Sequence, residues 1–382
     1  MSIFQNNLLA ASAAAASGGG DTQFAIWGSG RNDYGGSLGD GTLINRSSPV
    51  QAGDKNDWTG FDIGGNYGTG AVNSSGELWT WGWNGSGQLG LGDTTDRSSP
   101  TQVGSLTDWA AVASGQNYMM AIKTDGTLWT WGANGSGGLG LGDTTARSSP
   151  TQVGSLTDWS SAAGGFTGTI NNCMFALKTD GTLWVWGDNG NDFNLGLGDA
   201  TKRSSPVQSG SVSTWAFVHA TGQGGAAIRT DGTLWTWGHP GSGQLGNGQD
   251  STPLSSPTQI GSLTNWSTIN GGGPHYNAVK TDGTLWAWGS NTSGELGLGD
   301  TTARSSPVQV GSLTDWSKAA SLYNTSGAVK TDGTFWTWGA STYGARGDGT
   351  TALSSSPAQV GSLTDYLEVG GDNAQMRVTR SA

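Results

Sequence analysis

A ten-residue stretch with alternating apolar and polar positions recurs along almost the whole chain, and residues 123–132 are a clear copy of it. The residues before its turn are apolar, and those after it alternate so that Trp129 and Trp131 share one face. Asp125-Gly126 favours a type I′ turn, because both central positions of that turn need a positive φ. The pattern predicts a tight β-hairpin that carries two tryptophans on one side.

Three markers give the number and length of the repeats. The glycine that closes the Trp-x-Trp-Gly element recurs about every 50 to 55 residues, a spacing typical of propellers and solenoids: it falls at Gly28, Gly82, Gly132, Gly187, Gly238, Gly289 and Gly339. The tripeptide Ser-Ser-Pro recurs with it, at Pro49, Pro100, Pro150, Pro206, Pro257, Pro307 and Pro357. An aromatic residue follows each, at Trp58, Trp109, Trp159, Trp215, Trp266, Trp316 and Tyr366. All three markers predict seven units.

One hairpin is marginal in water, so the copies must pack into a larger structure. In the second complete hairpin unit we expect four strands, at residues 109–113, 119–123, 127–131 and 150–153, with the proline on an outer edge strand. Residues 366–380 supply the opening strands of a unit, and residues 24–50 supply the closing ones. The sequence therefore predicts an all-β fold, a seven-bladed β-propeller of four-stranded blades over residues 21–382, with its ring closed by pairing of the N- and C-terminal strands.

Composition and charge exclude several classes of function. The net charge is −11, and the 17 basic residues form no cluster, which argues against a nucleic-acid partner. No apolar run is long enough to predict a membrane span. The single cysteine, Cys173, lies in an apolar run, which predicts a buried and unreactive thiol.

Residues 1–20 are predicted to form an N-terminal anchor followed by a glycine hinge. They lack the positive charge that begins a secretory signal peptide. Asn7 is a candidate cap for a short Ala-rich helix that the glycines at 18–20 would end. The apolar side chains expected to dock this segment are Ile3, Phe4, Leu8 and Leu9.

The repeat resembles a known family. The elements Gly-Gln-Leu-Gly-Leu-Gly-Asp at 87–93, Ser-Ser-Pro-Thr-Gln-Val, and Ala-Ile-Lys-Thr-Asp-Gly-Thr-Leu-Trp-Thr-Trp-Gly are similar to the regulator-of-chromosome-condensation repeat. The resemblance implies a seven-bladed propeller, and it implies function only weakly because function lies in grafted sites. The family's eukaryotic founder exchanges nucleotide on a nuclear GTPase and binds chromatin. Secreted bacterial members that resemble a β-lactamase inhibitor bind protein on one rim. Near-identical repeats of this kind also resemble virion proteins of marine bacteriophages.

No motif predicts catalysis, a cofactor or a metal site. The glycine-rich loop at 85–90 lacks the following helix that a phosphate-binding loop needs. Asp93 and its equivalents each offer one carboxylate, whereas a hard cation needs several converging oxygens. We expect these aspartates to cap turns and to pair with nearby arginines such as Arg97. The sequence therefore predicts a protein that is not an enzyme and takes no cofactor.

Two loops of each unit vary while the strands do not. One follows Trp-Gly and the other precedes the second strand, where several units place aromatic residues or histidine among Gly, Ser and Asn. Exposed aromatics in such a setting make adaptable contact surfaces, although they can also merely cover loop backbone. The candidate partner-binding residues are Tyr34, Trp83, Tyr118, Phe193, His239, His275, Tyr276, Tyr323 and Tyr343.

These observations predict a structural or binding module. The specific interpretation is a phage virion component, a capsid decoration or a tail appendage. It would dock to other virion proteins through residues 1–20 and present its loops to a cell-surface or protein ligand on one rim. The alternative is an extracellular or cytoplasmic protein that acts as a protein-binding inhibitor or adaptor. A third interpretation, a guanine-nucleotide exchange factor, rests on the resemblance alone.

Overall fold

The computed structural model describes residues 23–64, 67–165, 173–190, 193–221, 223–372 and 374–381. In this part of the chain the secondary structure is β-strand apart from two 3₁₀ turns, Gly241–Gly243 and Thr342–Gly344. The predicted anchor with Ile3, Phe4, Leu8 and Leu9 lies outside the described residues.

The strands fall into groups of four, numbered here in chain order. The first fourteen are β1 (Phe24–Gly30), β2 (Arg46–Gln51), β3 (Trp58–Ile63), β4 (Gly68–Asn73), β5 (Leu78–Gly82), β6 (Arg97–Gln102), β7 (Trp109–Ser114), β8 (Tyr118–Lys123), β9 (Leu128–Gly132), β10 (Arg147–Gln152), β11 (Trp159–Gly164), β12 (Cys173–Lys178), β13 (Leu183–Gly187) and β14 (Arg203–Gln208). The others are β15 (Trp215–Thr221), β16 (Gly224–Arg229), β17 (Leu234–Gly238), β18 (Leu254–Gln259), β19 (Trp266–Gly271), β20 (His275–Lys280), β21 (Leu285–Gly289), β22 (Arg304–Gln309), β23 (Trp316–Ser321), β24 (Thr325–Lys330), β25 (Phe335–Gly339), β26 (Ser354–Gln359), β27 (Tyr366–Asp372) and β28 (Gln375–Ser381).

The groups are the seven predicted blades. Five are separate four-stranded antiparallel sheets, β7–β10 to β23–β26. The other two, β3–β6 and the closing blade β27-β28-β1-β2, form one eight-stranded sheet, because Phe24 pairs with Trp58 where they meet. We number the blades 1 to 7 from β3–β6 to this closing blade.

Blade 7 is assembled from both ends of the described chain, as predicted. Strand β28 pairs with β1 along its whole length, from Phe24 opposite Ser381 to Gly30 opposite Gln375. This pairing supplies the ladder hydrogen bonds that would otherwise be exposed at two sheet edges. The ring therefore closes through the backbone as well as through side chains.

The pairing shows that one marker of blade 7 was misaligned. Gly30, and not Gly28, is opposite the start of its neighbour strand and has the positive φ (109°) found at Gly82 and Gly132. Trp27 therefore corresponds to the first tryptophan of the repeat, and Ser29 stands where the second would be. The sequence pattern misplaced this unit because its Trp-Gly dipeptide matches the motif two residues early.

The hairpin turn also differs from the prediction. In the turn at residues 123–126, only Gly126 has a positive φ (77°), so the type I′ assignment is wrong. Gly126 N donates to Lys123 O (2.9 Å), and Asp125 Oδ1 accepts from the backbone N–H and the hydroxyl of Thr127 (2.9 and 2.7 Å). A turn followed by one left-handed glycine produces a hairpin with a bulge, and the aspartate side chain completes it.

The core consists of apolar clusters, each between two neighbouring blades. The second tryptophan of the third strand is fully buried there, as Trp131 is between blades 1 and 2. Its indole N–H donates to a loop carbonyl of the preceding blade, Gln88 O at 2.7 Å, and the same bond is made by Trp186, Trp237, Trp288 and Trp338. The tryptophans therefore fill the gaps between blades, as predicted, and also tie the blades together.

The seam between blades 7 and 1 departs from this rule. Trp81 Nε1 is buried with no hydrogen-bond acceptor. The equivalent loop carbonyl, Ser37 O, accepts instead from Arg377 Nη2 at 2.6 Å. Arg377 is fully buried and packs over Gly28, where a Cβ would lie 2.5 Å from the guanidinium. At this interface the Arg377 guanidinium thus donates to the loop carbonyl, in place of the tryptophan N–H that donates at the other interfaces named above.

Candidate functional site

The two faces of the ring carry different loops. Because the strands of each blade are antiparallel, the connections from first to second strand and from third to fourth strand lie on one face, here called the upper face. The hairpin turns and the links to the next blade lie on the opposite face. Both variable loops identified in the sequence are upper-face loops.

In five blades the long upper-face loop is organised by a buried asparagine two residues after the glycine that ends the third strand: Asn32, Asn84, Asn134, Asn189 and Asn291. In blade 7, Asn32 Oδ1 accepts from Leu38 N (2.8 Å), and Nδ2 donates to Asp40 Oδ1 and to Thr42 O (3.0 Å each). Asn84 repeats this arrangement in blade 1. The sequence interpretation missed these asparagines, although their recurrence two residues after the glycine at 84, 134, 189 and 291 is a usable signal.

Loop aspartates and arginines pair as predicted. Arg97 Nη2 lies 2.7 Å from Asp93 Oδ2, and Asp93 Oδ1 accepts from Thr95 N at 2.9 Å. These hydrogen bonds hold the pKa of Asp93 below its ordinary value, first through Thr95 and then through Arg97. The pairing fixes the shape of the loop.

Four aromatic side chains come together on the upper face at the ring seam. Tyr34 lies 5.3 Å from Tyr67 and 5.7 Å from Trp83 between ring centroids. The Arg31 guanidinium lies 5.4, 5.3 and 5.0 Å from the centroids of Tyr34, Tyr67 and Tyr343. We call these five residues the aromatic patch. It spans blades 6, 7 and 1, and it unites three predicted residues, Tyr34, Trp83 and Tyr343.

Arg31 is the centre of the patch. Its Nε donates to Asp33 Oδ1 at 2.7 Å, and its Nη1 donates to the Tyr67 hydroxyl at 3.3 Å. The Asp33 hydrogen bond raises the pKa of Arg31 and lowers the pKa of Asp33, so both groups are charged at neutral pH. A cation among three aromatic rings holds their relative positions through cation–π attraction.

The patch is exposed and its backbone is strained. Tyr34 and Tyr343 keep 40 % and 43 % of their surface accessible, and Trp83 and Tyr67 are half-buried. Tyr67 and Tyr343 have φ of 64° and 55°, in the left-handed region that costs a non-glycine residue about 1 kcal/mol or more. Strain of this kind clusters at functional sites, where the surrounding structure maintains it.

The other exposed candidates lie apart from the patch. Tyr323 is 44 % exposed on the upper face of blade 6, beside Gly273 of blade 5. Phe193 and His239 are half-buried. His239 Nδ1 accepts from Gly241 N at 2.9 Å, a bond that shapes its own loop. A role of these three residues in partner binding stays a prediction.

Tyr118 and Tyr276 were wrongly expected on the surface. Tyr118 is 1 % exposed, and its hydroxyl contacts Gly165 O and Cys173 O of the next blade at 3.3 and 3.1 Å. Tyr276 is 3 % exposed and stacks on Trp288 with 5.5 Å between ring centroids. Tyr118 is the first and Tyr276 the second residue of the second strand of its blade, and both pack in the interface with a neighbouring blade, so they stabilise the ring.

His275 is also buried, and it is no catalytic base. Its Nε2 lies 2.9 Å from Ser326 Oγ. That hydroxyl donates its single proton to Glu295 O (2.8 Å) and accepts from Asn277 Nδ2 (2.8 Å). His275 Nε2 must therefore be the donor to Ser326. Burial lowers the pKa of His275 to about 3, so the ring is neutral.

The described residues contain no further group suited to metal binding or thiol chemistry. No group of three His, Cys, Asp or Glu side chains there could hold a metal ion. Cys173 is fully buried, and burial raises the pKa of its thiol to about 12. No helix in this part of the chain is long and apolar enough to cross a membrane.

The fold and the recurring elements define a repeat-built β-propeller. The family model of the Regulator of chromosome condensation (RCC1) repeat matches residues 75–122, 125–170, 231–279 and 282–329, which is half of the chain. A second model of the same repeat matches residues 109–137. The chain therefore belongs to the RCC1 repeat family, as the sequence resemblance indicated.

Several curated proteins are similar in sequence. The Ultraviolet-B receptor UVR8 of Arabidopsis thaliana is 31 % identical over 286 residues, which cover 72 % of this chain and 62 % of the receptor. The mitochondrial RCC1 domain-containing protein RUG3 of the same plant is 32 % identical over 32 % of this chain and 28 % of its own. The chain thus matches less than two thirds of the length of these relatives.

Solved structures with the same fold cover nearly the whole chain. Prp20p from Saccharomyces cerevisiae superposes with a TM-score of 0.83 over 100 % of this chain and 96 % of its own, at 19 % identity. Human WBSCR16 superposes with a TM-score of 0.80 over 94 % and 99 %, at 18 % identity. At these identities the likeness establishes the fold alone.

Proposed function

We propose that this chain is a non-catalytic protein-binding module that binds its partner through the aromatic patch. The observation that carries the proposal is the gathering of three tyrosines, one tryptophan and one arginine from three blades into one exposed site. Tyr, Trp and Arg are the residues that dominate binding energy at protein interfaces. Scattered surface aromatics need no such explanation, but a cluster does.

The patch is organised before any partner arrives. Tyrosine and tryptophan offer large contact areas with few rotatable bonds, so little conformational entropy is lost on binding. Here Arg31 and Asp33 further restrict the rings, and the buried asparagine Asn32 fixes the loop behind them. Preorganisation lowers the cost of association and so raises affinity without further contacts.

The partner is identified first, by crosslinking mass spectrometry on the full chain in extracts of its source, and binding is then measured with the purified partner. Tyr34→Ala and Tyr343→Ala are each expected to weaken binding by a factor of ten or more. Leu106→Ala is the control, because Leu106 is 47 % exposed in the link between β6 and β7, on the opposite face of the ring. An equal loss in the control, or none in the patch variants, would contradict the proposal.

The specific setting we propose is the virion, with residues 1–20 docked to other virion proteins. Its support is the sequence resemblance of the repeats to phage proteins. Mass spectrometry of purified particles tests the location. A variant lacking residues 2–18 is expected to fold but to be missing from particles, while patch binding is retained. An inhibitor or adaptor would instead be absent from particles and bind its partner normally.

The comparison proteins favour a second candidate function, nucleotide exchange on a GTPase. A mouse relative with 29 % identity over 34 % of this chain is named RCC1-like G exchanging factor-like protein. Yeast Prp20p, which shares the fold, has binding properties to Gsp1p and histones. Accelerated release of a labelled guanine nucleotide from GTPases of the source would support this candidate, and no acceleration would remove it.

A further inference from the structure

The first strands of the seven blades surround a central channel. The residues two and four positions after the leading aromatic lie at this channel in blades 4, 5 and 7, as do Asp62, Ala163 and Lys318. In contrast, Ala111 and Ala113 of blade 2 and Ala320 of blade 6 pack in the interblade clusters. The channel contains a cavity of about 90 Å³ that is lined by residues from every blade.

The repeat is least regular at these two positions. The hairpin tryptophans are nearly invariant between blades, but the residues two and four positions after the leading aromatic differ in each one. From blade 1 to blade 7 they are Gly60 and Asp62, Ala111 and Ala113, Ser161 and Ala163, Phe217 and His219, Thr268 and Asn270, Lys318 and Ala320, and Glu368 and Gly370. Blades 2 and 3 thus contribute small side chains, whereas the polar groups lie on the other side of the channel. A binding site needs different side chains around it, whereas a purely structural ring does not.

Most polar groups of the channel are satisfied by the next blade. Asp62 Oδ2 accepts from Ser114 N at 2.7 Å, and Asn270 Oδ1 accepts from Ser321 N at 2.9 Å. His219 Nε2 donates to the carbonyl of Gly271 at 2.8 Å. These hydrogen bonds connect neighbouring blades. They satisfy the named atoms of Asp62, Asn270 and His219, so these atoms need no ligand.

Lys318 and Glu368 are different. Lys318 Nζ lies 3.4 Å from Glu368 Oε1, beyond the 2.7–2.9 Å range of a charge-assisted hydrogen bond. Lys318 Nζ and Glu368 Oε2 are both buried and make no hydrogen bond. Lys318 is 8 % exposed, and both residues line the cavity. An ion pair that is largely removed from water gains from further hydrogen bonds, so a group that bonds to both side chains would stabilise it.

The cavity limits what that group can be. Drug-sized ligands occupy pockets of about 300–1,000 Å³, several times this volume. The cavity is therefore suited to a molecule much smaller than such ligands. Because one of the two buried atoms belongs to a cation and the other to an anion, the matching molecule carries both charges.

We propose that the channel binds a small zwitterion, an amino acid of about the size of glycine, between Lys318 and Glu368. Its carboxylate accepts from Lys318 Nζ, and its ammonium group donates to Glu368 Oε2. The loose ion pair opens around the ligand, so each buried charge gains a hydrogen-bonded partner. On the side of blades 2 and 3 the cavity is lined by the small residues Ser114, Ala163 and Gly164.

The test measures thermal unfolding and calorimetric binding of the full chain with glycine, methylamine and acetate, each at up to about 10 mM. Glycine is expected to bind and raise the unfolding temperature, because a ligand of the native state stabilises it by mass action. Methylamine and acetate each carry one of the two charges, and each is expected to bind at least tenfold more weakly. Binding of either as tight as that of glycine would overturn the proposal.

Two variants locate the site. Lys318→Met combined with Glu368→Leu removes both charges together, which buried pairs tolerate better than loss of one partner, and it is expected to abolish glycine binding. Lys202→Met is the control, because Lys202 is 57 % exposed and outside the channel. A glycine effect that survives the double variant, or a crystal structure in glycine that shows only water between the two residues, would also overturn the proposal.

Discussion

Two tryptophans at the same repeat position allow a direct measurement of what ties the blades together. Trp131 and Trp81 are both fully buried against the preceding blade. Trp131 Nε1 donates to Gln88 O, whereas Trp81 Nε1 has no acceptor because Arg377 donates to the equivalent carbonyl, Ser37 O. Substitution by phenylalanine removes the same atoms at both sites. The difference between the two variants therefore isolates the hydrogen bond.

The expected magnitude follows from the two local environments. Trp131→Phe deletes a 2.7 Å hydrogen bond and leaves the Gln88 carbonyl without that donor, a loss of about 1–3 kcal/mol. Trp81→Phe removes an N–H that is buried without an acceptor, which is unfavourable in the folded ring. Its removal therefore offsets part of the stability lost through the smaller side chain. We expect Trp131→Phe to be less stable than Trp81→Phe by about 2 kcal/mol.

Urea unfolding followed by far-UV circular dichroism measures this difference without relying on tryptophan emission. With an m value of about 3 kcal/mol/M, the two midpoints should differ by roughly 0.7 M, and the slopes should be equal. Trp288→Phe serves as a replicate, because Trp288 donates to Gln244 O at 3.0 Å. A Trp81→Phe variant that loses as much stability as the other two, at equal m, would refute the assigned role of the indole hydrogen bond.

Two further predictions concern charged groups. Burial raises the pKa of Asp62 to about 7. Between pH 4 and 7 the Asp62 carboxyl therefore keeps its proton in the folded state and has lost it in the unfolded chain. The contribution of Asp62 to the free energy of unfolding consequently falls as the pH rises through this window. Asp62→Asn should remove that contribution, so the stability of the variant minus that of the wild type should grow by about 4 kcal/mol from pH 4 to 7, at about 1.4 kcal/mol per pH unit. A flat difference would show the assignment to be wrong. Lys123 Nζ lies 3.1 Å from Asp108 Oδ2 and 4.6 Å from the Trp129 ring centroid, so Lys123→Met should lower the free energy of unfolding by about 1–2 kcal/mol. A loss below about 0.5 kcal/mol in urea titrations would contradict this.

Much of the fold was predictable because its signals are local and repeated. Alternation around Trp129 and Trp131 gives strands, the glycine and Asp-Gly markers give turns, and copies of both give the number of blades. Closure followed from half-units at the two ends, since a lone half would leave unpaired edges. Even so, the same local pattern misplaced the closing glycine at Gly28, because the structural position, Gly30, is defined by its pairing with β28.

The candidate site was predictable only in part. Variable loops pointed to Tyr34, Trp83 and Tyr343, but nothing local showed that residues up to 312 positions apart share one patch around Arg31. Conversely, Tyr118 looked like a loop residue and is buried, because its ring lies against the next blade, about 50 residues further along the chain.

The sequence by itself determined the unit: a four-stranded sheet with its turns, its tryptophans and its number of copies, since strand and turn preferences depend on neighbours within a few residues. The tertiary structure alone decided which side chains meet across blades, which face solvent and which face the channel. Those outcomes depend on distances between residues 40 to 340 positions apart, and only the closed ring sets such distances.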